Sequence, residues 1–220
     1  MGKSLLAHRL AAAAEAAGRA VTVLRWDASR LPFDRADVLA RFPEAAGVTH
    51  PVIRFAAGAW ARDALGRWDR EAGPDDLIVG ETPLLGNRFA ELAQRRDDEV
   101  ERLLASERTL FVLPVPTREV RARIAGARAE DIATERDRHS APSHLLGEYD
   151  PDAYAARYRR ALRHRRVAVL PVTAFGTAER PAVAARDLLP TASEVDRYVA
   201  MFAERPRAEL EGLAERWDEG

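Results

Sequence analysis

Ser4-Leu5-Leu6 opens an alanine-rich run that continues to Ala17, Gly18 interrupts it, and Val21-Thr22-Val23-Leu24 follows. Leu5, Leu6 and Leu10 give the run an apolar side and alanine fills the rest, so Ser4 to Ala17 is predicted as a helix. Gly18 takes the left-handed conformation without a Cβ penalty and suits the position just past the helix. The four residues from Val21 are apolar on both faces, as in a strand covered from both sides, ending at Trp26-Asp27. A helix stopped by glycine and followed at once by a buried strand is one αβ unit of a parallel sheet.

Working outward, the same pattern recurs. Leu77-Ile78-Val79 reads as a second strand running into Gly80-Glu81-Thr82-Pro83. A third is Leu110-Phe111-Val112-Leu113, closed by Pro114, and a fourth is Val167-Ala168-Val169-Leu170. Between them lie helical stretches. Residues 31–71 are helical but broken at Pro32, Pro43 and Pro51, with Phe55, Ala59, Trp60, Ala64 and Trp68 recurring at core-facing spacing. One long helix is expected from about Arg88 to Ser106, with Phe89, Leu92, Val100, Leu103 and Leu104 inward. Thr117 is placed to cap the next helix, Asp150-Pro151 opens another, and Ser193–Phe202 and Pro206–Trp217 finish the chain. Doubly apolar strands alternating with helices argue for a three-layer α/β sheet in a single domain spanning 1–220.

The chain has 220 residues, is 47% hydrophobic and 31% charged, and carries a net charge of −1. That balance gives no electrostatic case for nucleic acid or an anionic membrane as main partner. Cysteine is absent, which excludes disulfides and thiolate sites. No apolar run has the length of a membrane span, and Arg9 and Glu15 interrupt any signal-peptide pattern, so a cytoplasmic location is expected. His139 and His144 have no third ligand in register and do not suggest a metal site.

Lys and Arg together number 34, yet Lys3 is the only lysine. It stands in Gly2-Lys3-Ser4, at the mouth of the first helix. The P-loop pattern G-x-x-x-x-G-K-[ST] ends in these three types, its N–H groups cradling phosphate, its lysine reaching the β/γ-phosphates and its hydroxyl holding Mg²⁺. With the following helix, Asp27 after one strand and Glu81 after the next, the chain resembles the P-loop small-molecule kinases, the group of nucleoside, nucleotide and shikimate-type kinases. The resemblance covers most of the chain by layout and only Gly-Lys-Ser by motif.

The resemblance implies an α/β/α P-loop NTPase-like fold whose first, central strand is missing from this chain. Either the start is assigned too late or the loop has decayed. It implies ATP and Mg²⁺ as cofactors, with Gly2, Lys3 and Ser4 at the phosphates and Ser4 and Glu81 at the metal. Asp27 would act toward the acceptor hydroxyl or as a Mg²⁺ partner, and Glu81 would stand where a Walker B carboxylate does. Residues 31–71 would be a helical insertion on the acceptor side and 117–150 an arginine-rich lid, with Arg123 and Arg128 clamping the moving group. Thr173, after the last strand, would lie near the adenine, and Asn87-Arg88 near the acceptor.

Plainer explanations stand beside each of these. Lys3 is also an ordinary terminal charge, Asp27 also a turn former, and the lid arginines also a solvated helix face interleaved with Glu119, Glu130, Asp131, Glu135 and Asp137. The leading expectation is a phosphotransferase acting on a small hydroxyl- or phosphate-bearing acceptor. The alternative is a nucleotide-dependent switch or accessory ATPase that docks a protein partner through Glu204, Glu209, Glu211 and Glu215. A nucleotide-independent α/β scaffold is a third expectation.

Overall fold

The computed structural model describes residues 3–45, 48–82, 89–124, 126, 149–174 and 182–215. Helix α1 (Lys3–Ala16) leads through Gly18, at φ +78°, into strand β1 (Ala20–Leu24). The positive φ explains the glycine: a side chain there would be strained. Then come α2 (Trp26–Arg30), a 3₁₀ turn (Leu31–Asp34), α3 (Ala36–Arg41) and the long α4 (Pro51–Glu71). His50 caps α4 by accepting from the Val52 N–H at 3.2 Å, and Pro51 fills a position where no N–H is needed. Strand β2 (Asp76–Gly80) is followed by α5 (Ala90–Ala93), α6 (Glu99–Leu104), strand β3 (Phe111–Pro116) and a helix over 118–124, here α7. The chain closes with α8 (Pro151–Ala161), β4 (Val167–Val172), the two-residue β5 (Arg186–Asp187), α9 (Ala192–Phe202) and α10 (Arg207–Glu215).

The strands form two parallel sheets, one ordered β2-β1-β5 and the other β3-β4. In the first, Ala20 to Leu24 pair with Asp76 to Gly80, and Thr22 and Val23 with Arg186 and Asp187. Alternation sorts its side chains. Val21, Val23 and Val79 pack under Ala7, Ala11 and Ala14 of α1. Leu24 and Ile78 turn to the other face, into the core built around α4, α9 and α10. Trp60, Ile53 and Tyr198 are fully buried there, and Trp68 Nε1 donates to Thr22 Oγ1 at 3.3 Å. Around β1 and β2 the molecule is therefore three layers deep.

The second sheet is covered by α8 and α5 through Leu113, Val115, Tyr158, Ala161, Ala90 and Ala93. Its opposite face leaves Val112 and Leu170 exposed. Phe111 touches both cores, so one helical layer continues under both sheets. Among the described residues, β2 and β3 each have one edge without a strand partner.

Three expectations need correction. Pro114 does not end the third strand, which runs on to Pro116. Phe111 and Thr117 donate their N–H groups to Arg166 and Val172 of the β4 side. By alternation Pro114 and Pro116 face the open edge, where a missing N–H costs nothing. The expected helix from Arg88 to Ser106 is broken over residues 94–98. Side chains take the carbonyls that a continuing helix needs: Arg62 Nη1 binds Glu91 O at 2.6 Å, His164 Nε2 binds Ala93 O at 2.9 Å, and Arg165 Nη2 binds Gln94 O at 2.9 Å. Asp98 then caps α6 afresh by accepting from Glu101 N at 2.9 Å. Finally, β1 stops at Leu24 and Asp27 belongs to α2.

Candidate functional site

Ligands of open parallel sheets gather outside the C-terminal ends of the strands. Here that edge of β1 carries Arg25, then Trp26 and Asp27 in the first turn of α2. The chain coils because Trp26 is buried edge-to-face on Phe89, with ring centroids 5.2 Å apart, and Ser29 Oγ donates to Leu188 O at 3.0 Å. Asp27 is thereby left exposed. On the neighbouring strand the Glu81 N–H donates to Leu24 O at 2.9 Å, extending the pairing by one residue and setting Glu81 beside the start of the turn. Glu81 is half-buried.

Arg25 ties the two acids together. Its fork is committed to Asp187 of β5, with Nε at 2.9 Å from Oδ1 and Nη2 at 2.6 Å from Oδ2. Its pKa is raised, first by that hydrogen bond, against an opposing effect of burial, and further by the charges of Asp187, Glu81 and Asp27. Both predicted carboxylates thus lie within electrostatic reach of one guanidinium. Among the described residues neither has a side-chain hydrogen bond or ion pair of its own. Ala7, His8 and Ala11 of α1 close over Val23, Arg25 and Asp187 around a small cavity of about 120 Å³. The beginning of α1 therefore lies at this same end of the sheet.

The C-terminal ends of β3 and β4 open into a groove of about 470 Å³. Thr117, Arg118 and Asp150 line it, with Arg159 of α8 opposite. Thr117 Oγ1 accepts from Val120 N at 3.3 Å and caps α7, as expected. Arg118 reaches Asp150 at 3.7 Å, and Asp150 itself caps α8. Thr173 follows β4 and is exposed, and Arg123 is exposed on α7. Gly2, Asn87, Arg88, Arg128, His139, His144 and most of the lid stretch lie outside the described residues, as do the side chains of Lys3 and Ser4.

Sequence reasoning missed Arg25, Asp187 and Glu91. Arg25 sits between β1 and Asp27, so its place was readable. Its partner, 162 positions away, was not. Glu91 falls outside the expected apolar stripe, yet all four residues of α5, Glu91 included, are buried. Among the described residues no group of three or more His, Asp or Glu side chains is placed to hold a metal ion, and no helix is long and apolar enough to cross a membrane. Comparison with protein-family models, curated proteins and solved structures finds no match for this chain.

Proposed function

We propose that this protein is an ATP- and Mg²⁺-dependent phosphotransferase of the P-loop kinase type, acting on a small hydroxyl- or phosphate-bearing acceptor. The observation that carries the proposal is the junction of Arg25, Asp27 and Glu81 at the C-terminal edge of parallel strands, beside the start of α1. Phosphoryl transfer needs an oriented acceptor, neutralised phosphate charge and an anchored metal. Arg25 is occupied by Asp187, so the carboxylates of Asp27 and Glu81 remain open for a hard cation and for an acceptor hydroxyl.

Oxygen donors of this kind fit Mg²⁺, which takes few protein ligands and keeps its waters. Glu81 and the Ser4 hydroxyl would hold it, and when bound it neutralises charge on the phosphates. Lys3 would meet the triphosphate, Asp27 would orient the acceptor, and the arginine-rich 117–150 segment, with Arg123 and Arg128, would cover the transferring group. Thr173 and the groove beside Thr117 lie on the nucleotide side.

The open edges of β2 and β3 support the fold assignment. A strand paired to β2 and β3 that ran into α1 would join both sheets over their common helical layer. Because Pro114 and Pro116 face that slot, β2 would supply most of its hydrogen bonds.

The switch or accessory-ATPase alternative gains less support. Of the acids proposed as its docking surface, Glu204 pairs with Arg41, Glu209 with Arg205 and Glu211 with Arg207, each at 2.5–2.7 Å. The assay that separates the two readings follows phosphate from ATP across a panel of small alcohols and phosphate esters. Acceptor-dependent product supports the kinase, and ATP hydrolysis indifferent to every acceptor supports the alternative.

A further inference from the structure

Glu91 is only 3% exposed, and its Oε2 is shut away from solvent without a hydrogen-bond partner. The carboxylate lies directly over Gly58 of α4, where any Cβ would fall on it. One turn earlier on α4 stands Arg54, half-buried, its Nε likewise shielded and without a partner. One turn later stands Arg62, whose guanidinium is engaged by the Glu91 carbonyl, Asp98 and Glu101 and is not available to the carboxylate. Positions 54, 58 and 62 form one stripe of α4. It presents a cation set over the Phe55 ring with its Nε unmet, a notch, and an occupied cation, with an acid lodged in the notch.

A buried donor or acceptor left unmade costs about 1–3 kcal/mol. A fold that keeps two, of opposite charge and side by side, has a use for them that its own atoms do not meet. Their place is informative. Phe89, two residues before Glu91, packs on Trp26, and Asp27 is the next residue. Trp26 opens α2 just past the end of β1, so Glu91, with Arg54 in electrostatic reach of it, stands in the helical layer close behind that strand end. Burial lowers the pKa of Arg54, opposed by the charges of Glu91 and Glu211.

We infer that Arg54 and Glu91 form the recognition pair of the acceptor subsite. Arg54 takes an acidic group and Glu91 a hydroxyl of the same small molecule. The inference rests on the kinase reading above for its word "acceptor", and on the paired unmet groups for its chemistry. Burial also pushes the Glu91 carboxyl up to about 7. Near neutrality it therefore both accepts from and donates to a hydroxyl.

The test is thermal denaturation and calorimetric titration of the full chain with glycerate, glycerol 3-phosphate and glycerol, each with and without Mg²⁺-ATP. Glycerate or glycerol 3-phosphate is expected to bind and glycerol, at equal concentration, is not. Glu91→Gln keeps the shape and Arg54→Met keeps the length, and each is expected to weaken the bound probe by about tenfold or more, while Arg54→Lys restores part of the affinity. Failure of both acidic probes to bind, or binding that neither substitution alters, overturns the inference. A retained ATP response alongside that failure leaves the kinase reading standing. Probe binding that depends on Arg54 and Glu91 in a protein that ignores ATP keeps the subsite and removes the kinase.

Discussion

Between pH 5 and 8 the carboxyl of Glu91 changes charge inside the protein, against the backbone of Gly58. Its folded pKa of about 7 lies above the ordinary 4.5, with burial as the leading cause and the charges of Arg96, Arg54 and Arg62 opposing it. A raised carboxyl pKa means that the folded state holds the proton more tightly. The contribution to stability is full below pH 4.5 and is lost as pH rises through 7. The shift corresponds to about 3 kcal/mol. Glu91→Gln removes this dependence, so its stability relative to wild type should improve by about that amount from pH 5 to pH 8. Urea denaturation at the two pH values checks it, and a constant difference would show that Glu91 titrates normally. Gly58→Ala makes a separate prediction. The methyl collides with the carboxylate and should cost about 3 kcal/mol, and adding Glu91→Ala in the same chain should recover much of the loss.

At the scale of elements, the two sheets are held together by a charged clamp rather than by strand pairing. Arg62 of α4 binds Asp98 at 2.7 Å and Glu101 of α6 at 3.0 Å, and Arg165, just before β4, binds Glu101 at 2.5 Å. Both arginines are almost wholly buried. Burial alone would raise the Glu101 pKa, but hydrogen bonds from Arg165 and Arg62 outweigh it and hold the carboxyl at about 2. The stabilising effect of a depressed carboxyl is present above its ordinary 4.5 and lost as pH falls toward 2. Glu101→Gln should therefore destabilise by about 3–5 kcal/mol at pH 7, because two buried cations lose a partner. The gap from wild type should close as the solution is acidified toward pH 2, measured by chemical denaturation across that range. The clamp also explains where sequence reading stopped. The apolar spacing of Phe89, Leu92, Val100 and Leu103 fits one helix, and no local signal says that Arg62, His164 and Arg165 will claim the carbonyls between. Thr191 and Glu194 show a local signal that the expected start at Ser193 passed over. Their capping box, with Thr191 Oγ1 accepting from Glu194 N at 3.3 Å, is written in the spacing itself. Thr191→Ala should lower the thermal midpoint, at a cost of about 1 kcal/mol.

For the molecule as a whole, the alternation of strands with helices was legible because each strand is apolar on both faces, although only β1 and β2 are covered on both and β3 and β4 leave Val112 and Leu170 exposed. The division into two sheets was not, since pairing partners are set by distant contacts. Asp27 and Glu81 could be placed at strand ends from their neighbours. The Arg25–Asp187 pair that lies beside them depends on β5, a two-residue strand with no apolar signature. What joins these scales is charge. The proposed chemistry needs an anionic cargo between the open acids at the ends of β1 and β2 and the amine at the head of α1.

The most direct measurement is calorimetric titration of Mg²⁺-ATP into the natural polypeptide, with any residues encoded in frame ahead of Met1, and into its Lys3→Ala form. Saturable, Mg²⁺-dependent binding that weakens by roughly tenfold or more in Lys3→Ala is the result expected of a charge-assisted phosphate contact. Equal affinity of the two forms, or no binding by either, would contradict it.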